Sequence, residues 1–173
     1  MLGAVVVMQG ATSAEPEGLQ RALKALRAQC NRVLIIGGAE DDARASGAEH
    51  RPLPREASEL AALTIALREA GGTHVVVLTA DLCRPSSELV RYMQHVRGSF
   101  EAIVPEGRDG RLQPLAALYH ASLLRRAEGL LAAGERDLVP LLELASVRHV
   151  TAEEVAKFGE PENLLARAGQ SFM

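Results

Sequence analysis

Four consecutive apolar residues, Val75 to Leu78, lie within the stretch THVVVLTADLCRP at residues 73–85, near the middle of the chain. A short run of this kind, apolar at every position rather than at alternate ones, fits a strand buried on both faces, as in a parallel sheet covered by helices. It is followed by Thr79, Ala80 and a lone acid, Asp81, and then by Pro85, Ser86 and Ser87. The serines fit the N-cap of a helix running to about Arg97. In open α/β sheets, ligands bind outside the carboxyl ends of the strands. An acid released at that edge is a candidate metal ligand and catalytic residue, and capping of the turn or helix is the plainer role for Asp81.

The rest of the chain repeats the strand–helix rhythm. Ala4–Met8 reads as a first buried strand, followed by a loop of small residues, Gln9 to Ser13. Leu19, Ala22, Leu23 and Leu26 mark one face of a helix over Glu17–Gln29. A second strand spans Val33–Ile36 and is closed by Gly37 and Gly38, and the polar region 39–57, broken by Pro52 and Pro54, reads mostly as loop. Ser58 is positioned to cap a helix reaching Ala70, and Ala102–Pro105 is a further strand before a charged loop with two glycines. This alternation predicts an α/β fold with a mostly parallel central sheet and right-handed crossovers. After Gln113 the rhythm changes. Leu115–His120 fits a strand or a helix, Ser122–Ala133 a helix, Leu138–Ala145 a shorter one, and Val147–Val150 a last strand. Thr151 and Glu154 form a capping-box pattern. Pro161 suits the first position of a final helix to about Ala168.

With 173 residues and no linker or repeat, the chain is read as a single domain, 1–173. No apolar run is long enough to span a bilayer, and the N-terminus has no basic region ahead of its apolar segment, so a cytoplasmic protein is expected. A net charge of −3 with interspersed signs leaves no electrostatic footprint for nucleic acid. Cys30 and Cys83 have neither metal nor redox spacing and read as packing residues. The five histidines form no ligand pair at helical spacing. Arg84 and Arg108 are placed where they could face a phosphate, or simply solvent.

Three segments together resemble the molybdenum cofactor guanylyltransferase (MobA) family: Asp81 after the VVVL strand, the octapeptide QPLAALYH at residues 113–120, and the closing Pro161-Glu162-Asn163-Leu164. The octapeptide, close to the family's QPLFALY, is the most specific. The resemblance implies a three-layer, Rossmann-like nucleotidyltransferase fold related to the GT-A glycosyltransferases. It also implies transfer of GMP from Mg²⁺-bound GTP to molybdopterin, with Asp81 holding Mg²⁺. By the same resemblance Gly10, Ala11, Thr12 and Ser13 stand in the nucleotide-binding loop, while Gln113 and Tyr119 line the pterin side, although Tyr119, alternating with Leu118, equally suits core packing. Partners would be the nucleotide, the pterin and a protein of the molybdenum cofactor pathway, with no nucleic acid or membrane.

The departures from that pattern concern charge. The family opens with L-A-G-G-x-S-x-R-M-G-x-D-K, a glycine loop whose lysine neutralises the triphosphate. Here the first strand runs directly into MQGATSAEPEGLQR, with no cation before Arg21. Lys24, one of two lysines, falls well inside the predicted helix and reads as a surface residue. The family's G-P-L-x-G aligns with Ser58 to Ala62, keeping only the leucine, and its paired asparagines fall on Lys157 and Gly159. Two readings follow: a guanylyltransferase working through an unorthodox loop, or a non-catalytic domain that binds a pterin, a nucleotide or a protein partner. GATS after the first strand is also similar to the opening of short-chain dehydrogenases, but the G-x-G-x-x-G fingerprint is missing and neither tyrosine has a lysine four residues on.

Overall fold

In the computed structural model, which describes residues 1–8 and 16–167, the VVVL run lies at the centre of the sheet. In chain order the strands are β1 (Leu2–Val7), β2 (Arg32–Gly37), β3 (Glu49–Arg51), β4 (His74–Thr79), β5 (Ala102–Pro105), β6 (Ala116–His120) and β7 (Val147–Val150). Their spatial order is β3-β2-β1-β4-β6-β5-β7, which makes β4 the middle strand of seven. β1, β2, β3 and β4 are parallel neighbours, and β5 and β7 pair in parallel. β6 alone runs antiparallel, to both β4 and β5. QPLAALYH thus resolves as a strand that enters the sheet from the edge where β4 leaves it.

The side-chain alternation of β4 builds two cores. Val75 and Val77 join the core on one face, with Ala4 and Val6 of β1. Val76 and Leu78 join the other, with Val5. The first face is covered by α3 (Glu59–Glu69), α5 (Leu124–Ala132) and α6 (Val139–Glu143), through Leu60, Leu63, Ala127 and Leu141. The second is covered by α1 (Pro16–Arg27), α2 (Glu40–Ser46), α4 (Ser87–His95), α7 (Ala152–Val155) and α8 (Pro161–Leu164), through Leu23, Ala43, Met93, Val155 and Leu164. The result is the three-layer α/β architecture expected. Caps act where the sequence places them. Ser58 accepts from the Ala61 N–H at 3.2 Å, Ser86 accepts from the Leu89 N–H at 3.1 Å, and Thr151 and Glu154 form a complete capping box.

Two expectations change. Region 39–57 contains α2 and β3 rather than mostly loop. Glu40, Asp41 and Asp42 put three acids in the first turn of α2, where the helix dipole favours them, and Gly47 at φ 69° ends it. Only Ala43 of that helix is buried, so no apolar period announces it. β3 is an edge strand, held by ion pairs of Arg32 with Glu49 at 2.6 Å and of Arg51 with Glu69 at 2.7 Å. The final helix is also shorter than expected. It ends at Leu164, and the chain then bends at Leu165 and reaches a bridge between Arg167 and Leu82. Among the described residues no helix is long and apolar enough to cross a membrane.

Candidate functional site

The carboxyl end of β4 is fixed from both sides. The Thr79 N–H donates to the Leu115 carbonyl at 2.8 Å, and the Ala80 N–H donates to the Val6 carbonyl at 2.9 Å. The turn that follows brings Asp81 back beneath Thr79, whose hydroxyl donates to Asp81 Oδ1 at 2.6 Å. Thr79 and Asp81 are both buried, 2% and 8% exposed. A carboxylate in such a place needs a cation, because burial of an unpaired charge is strongly unfavourable.

That cation comes from 86 residues downstream. Arg167 Nε donates to Asp81 Oδ2 at 2.9 Å and to Oδ1 at 3.2 Å, and Arg167 Nη1 donates to Glu59 Oε1 at 3.2 Å, at the start of α3. Burial works against the charged guanidinium, but the Asp81 carboxylate, seconded by Glu59, outweighs it and raises the Arg167 pKa above its ordinary value. The backbone brings the arginine there: the Cys83 N–H donates to the Ala166 carbonyl at 2.9 Å, beside the Leu82–Arg167 bridge.

Arg167, but not Asp81, lines a cavity of about 200 Å³, together with Glu59, Thr79, Arg111 and Gln113 among others. Gln113 also lines a smaller hollow of about 140 Å³ next to Pro161 and Glu162. The structure therefore brings Gln113 to the edge where Asp81 lies, but not Tyr119. Tyr119 is fully buried, and its hydroxyl donates to the Pro114 carbonyl at 2.6 Å. It packs with the core of the α3 face, which favours the packing role over the pterin-lining one. Its place in the alternation of β6 leaves no other choice, because Ala117 and Tyr119 point to the same core. Gly10, Ala11, Thr12 and Ser13 lie outside the described residues.

The remaining candidates resolve simply. Cys30 is buried, and burial pushes its thiol up to about 11, which suits packing and not reactivity. Lys24 and Arg84 are exposed. Arg108 pairs with Glu160 at 2.6 Å and Glu162 at 2.8 Å. Ser58 is occupied as an N-cap and Ala62 is buried. Sequence reasoning missed Arg167 and Glu59 altogether. Arg167 fell inside a predicted helix and Glu59 in the first turn of another, and no local spacing links either to Asp81.

The magnesium expected at Asp81 can be tested against this geometry. A hard divalent cation needs open carboxylate oxygens and room for water. Both Asp81 oxygens are engaged by Arg167, and one also by Thr79. No group of three or more His, Cys, Asp or Glu among the described residues could hold a metal ion. The described residues, as arranged, do not fit a resident divalent metal at Asp81.

Comparison with known proteins agrees with the architecture. A family profile described as "MobA-like NTP transferase domain" matches residues 14–151. The chain is 30% identical over 114 residues to a Mycobacterium avium protein named "Probable molybdenum cofactor guanylyltransferase", covering 66% of this chain and 54% of the relative. It thus spans about half of that relative's length. Among solved structures it is similar to a protein from Aquifex aeolicus VF5, with TM-score 0.80, 17% identity and 98% and 94% of the two chains covered. It is also similar to molybdopterin-guanine dinucleotide biosynthesis protein A from Archaeoglobus fulgidus, with TM-score 0.73, 19% identity and 98% and 93% covered. At such identities these likenesses establish a shared nucleotidyltransferase-like fold.

Proposed function

The chain belongs to the MobA-like NTP transferase family, and on that premise we propose that it serves molybdenum cofactor biosynthesis in the cytoplasm. In this reading it holds the guanine nucleotide and molybdopterin of that chemistry at the carboxyl edge of β4 and β6, and transfers GMP from GTP only very slowly. Its partners would be these small molecules and a protein of the same pathway, with no nucleic acid or membrane. The observation that carries the reading is the cavity walled by Gln113 and Arg167, whose arginine is already paired with Asp81 behind the wall.

Nucleotidyl transfer depends on positioning and on cations that stabilise charge spread over phosphate oxygens. The segment after β1 supplies neither arginine nor lysine before Arg21. Arg167 is a permanent cation at the cavity wall, but it is shared between two carboxylates, which blunts its pull on a phosphate. Gln113 can donate to and accept from a heterocycle edge, which suits it to orient a pterin or a base. Since one missing electrostatic donor costs roughly 10²–10³-fold, loss of the loop lysine together with an open metal position implies a rate lower by at least about 10³-fold.

The test is a GMP-transfer assay with GTP, magnesium and molybdopterin, run beside a family member with an intact glycine–lysine loop. The expected result is transfer slower by at least about 10³-fold, with molybdopterin binding still visible by quenching of pterin fluorescence. Transfer at a comparable rate, or no pterin binding, overturns the proposal. Transfer at the family's rate, the alternative reading, requires magnesium to reach Asp81 and hence Arg167 to yield it.

A further inference from the structure

The Arg167 side chain lies between two carboxylates: Asp81, whose side chain is 6% exposed, and Glu59, at 36%. It is not a wandering surface group. Leu164 and Leu165, just upstream, are buried in the core of the α1–α4 face, 8% and 3% exposed. The backbone on either side of Asp81 and Arg167 is joined by the Cys83–Ala166 hydrogen bond. A guanidinium cannot give up its proton at any ordinary pH, so its charge is a fixed feature of the site. A divalent cation approaching Asp81 would meet a permanent positive charge within hydrogen-bonding distance of both oxygens.

We infer that Arg167 is the resident cation of this site: the segment that follows α8, by seating the Arg167 guanidinium between Asp81 and Glu59, keeps divalent metal off the aspartate. Metal and arginine are alternatives here, since the two cannot share the same carboxylate oxygens. Removing the guanidinium leaves the carboxylates of Asp81 and Glu59 facing one vacated position, with the Thr79 hydroxyl beside it. One or two carboxylates plus water is a sufficient set for Mg²⁺ or Mn²⁺. The chain thus carries a divalent-cation position that its own arginine fills. This holds whichever nucleotide or pterin the domain handles, and it does not rest on the proposed function.

The experiment is a titration of the full chain with Mn²⁺, read by loss of the free-ion EPR signal and by paramagnetic broadening of backbone amide resonances. Wild type is expected to show no broadening centred on Thr79, Asp81 and Leu82. Arg167→Gln is expected to bind one Mn²⁺ at least about tenfold more tightly than wild type, broadening those amides, and adding Asp81→Asn should abolish the gain. Arg167→Lys, which keeps the charge, should behave like wild type. Mn²⁺ broadening centred on Asp81 in wild type overturns the inference and needs no variant that might fail to fold. Equal Mn²⁺ affinities for wild type and a folded Arg167→Gln overturn it as well. Neither result depends on GTP or molybdopterin binding, so failure here is separable from failure of the proposed function.

Discussion

Asp81→Ala is expected to lower the stability of the folded chain by about 3 kcal/mol, read as a shift of the urea midpoint at neutral pH. The loss has two sources. Arg167 is left partly buried with only Glu59 opposite it, at 3.2 Å, and breaking one side of a buried pair is costly because the remaining charge is uncompensated. The Thr79 hydroxyl, 2% exposed, loses the acceptor it holds at 2.6 Å, which adds the cost of a buried unsatisfied donor. The double variant Asp81→Ala/Arg167→Ala should be no less stable than Asp81→Ala alone, because the uncompensated charge leaves with the arginine. An aspartate that merely capped a solvated turn would cost only about 1 kcal/mol, so the two accounts are easily told apart.

Gly18→Ala is expected to destabilise by about 2 kcal/mol, with Gly18→Leu worse. In an ordinary helix position the same change would stabilise by up to about 1 kcal/mol, because alanine has the better helix propensity. The sign is reversed here because α1 packs its first turn directly on the end of β4. A Cβ at residue 18 would lie 2.5 Å from the Ala80 carbonyl oxygen. That neighbour is backbone, and the adjacent Ala80 N–H is already bonded to Val6. The strain must therefore push α1 off the sheet or shift the residue that precedes Asp81. Thermal unfolding gives the sign, and the amide shifts of residues 79–82 show whether the disturbance reaches the site.

The parts of the fold that were legible in the sequence are those where burial follows a period. The VVVL run gave the central strand because a strand buried on both faces has no polar positions to interrupt it. Ser58, Ser86 and Thr151 marked helix starts because their side chains satisfy amides that the helix leaves open. α2 and β3 escaped because one buries a single residue and the other lies at the sheet edge, held by charges and not by apolar contacts. Of the site, Asp81 and Gln113 were legible from strand position and resemblance. For Tyr119 the strand-or-helix ambiguity of residues 115–120 left pterin lining and core packing equally open, and its burial favours packing. The decisive partner, Arg167, could not be found from spacing, since an ion pair across 86 residues leaves no local trace.

Whether magnesium sits at Asp81 when a guanine nucleotide is offered is decided by calorimetric titration with GTP. The titration is run with magnesium and with EDTA, for wild type and Asp81→Asn. The expectation is a dissociation constant no tighter than about 10 µM, roughly 7 kcal/mol, unchanged by magnesium and insensitive to chelation. Tight binding that requires magnesium and disappears in Asp81→Asn would contradict it, and would mean that Arg167 gives way to a metal when nucleotide arrives.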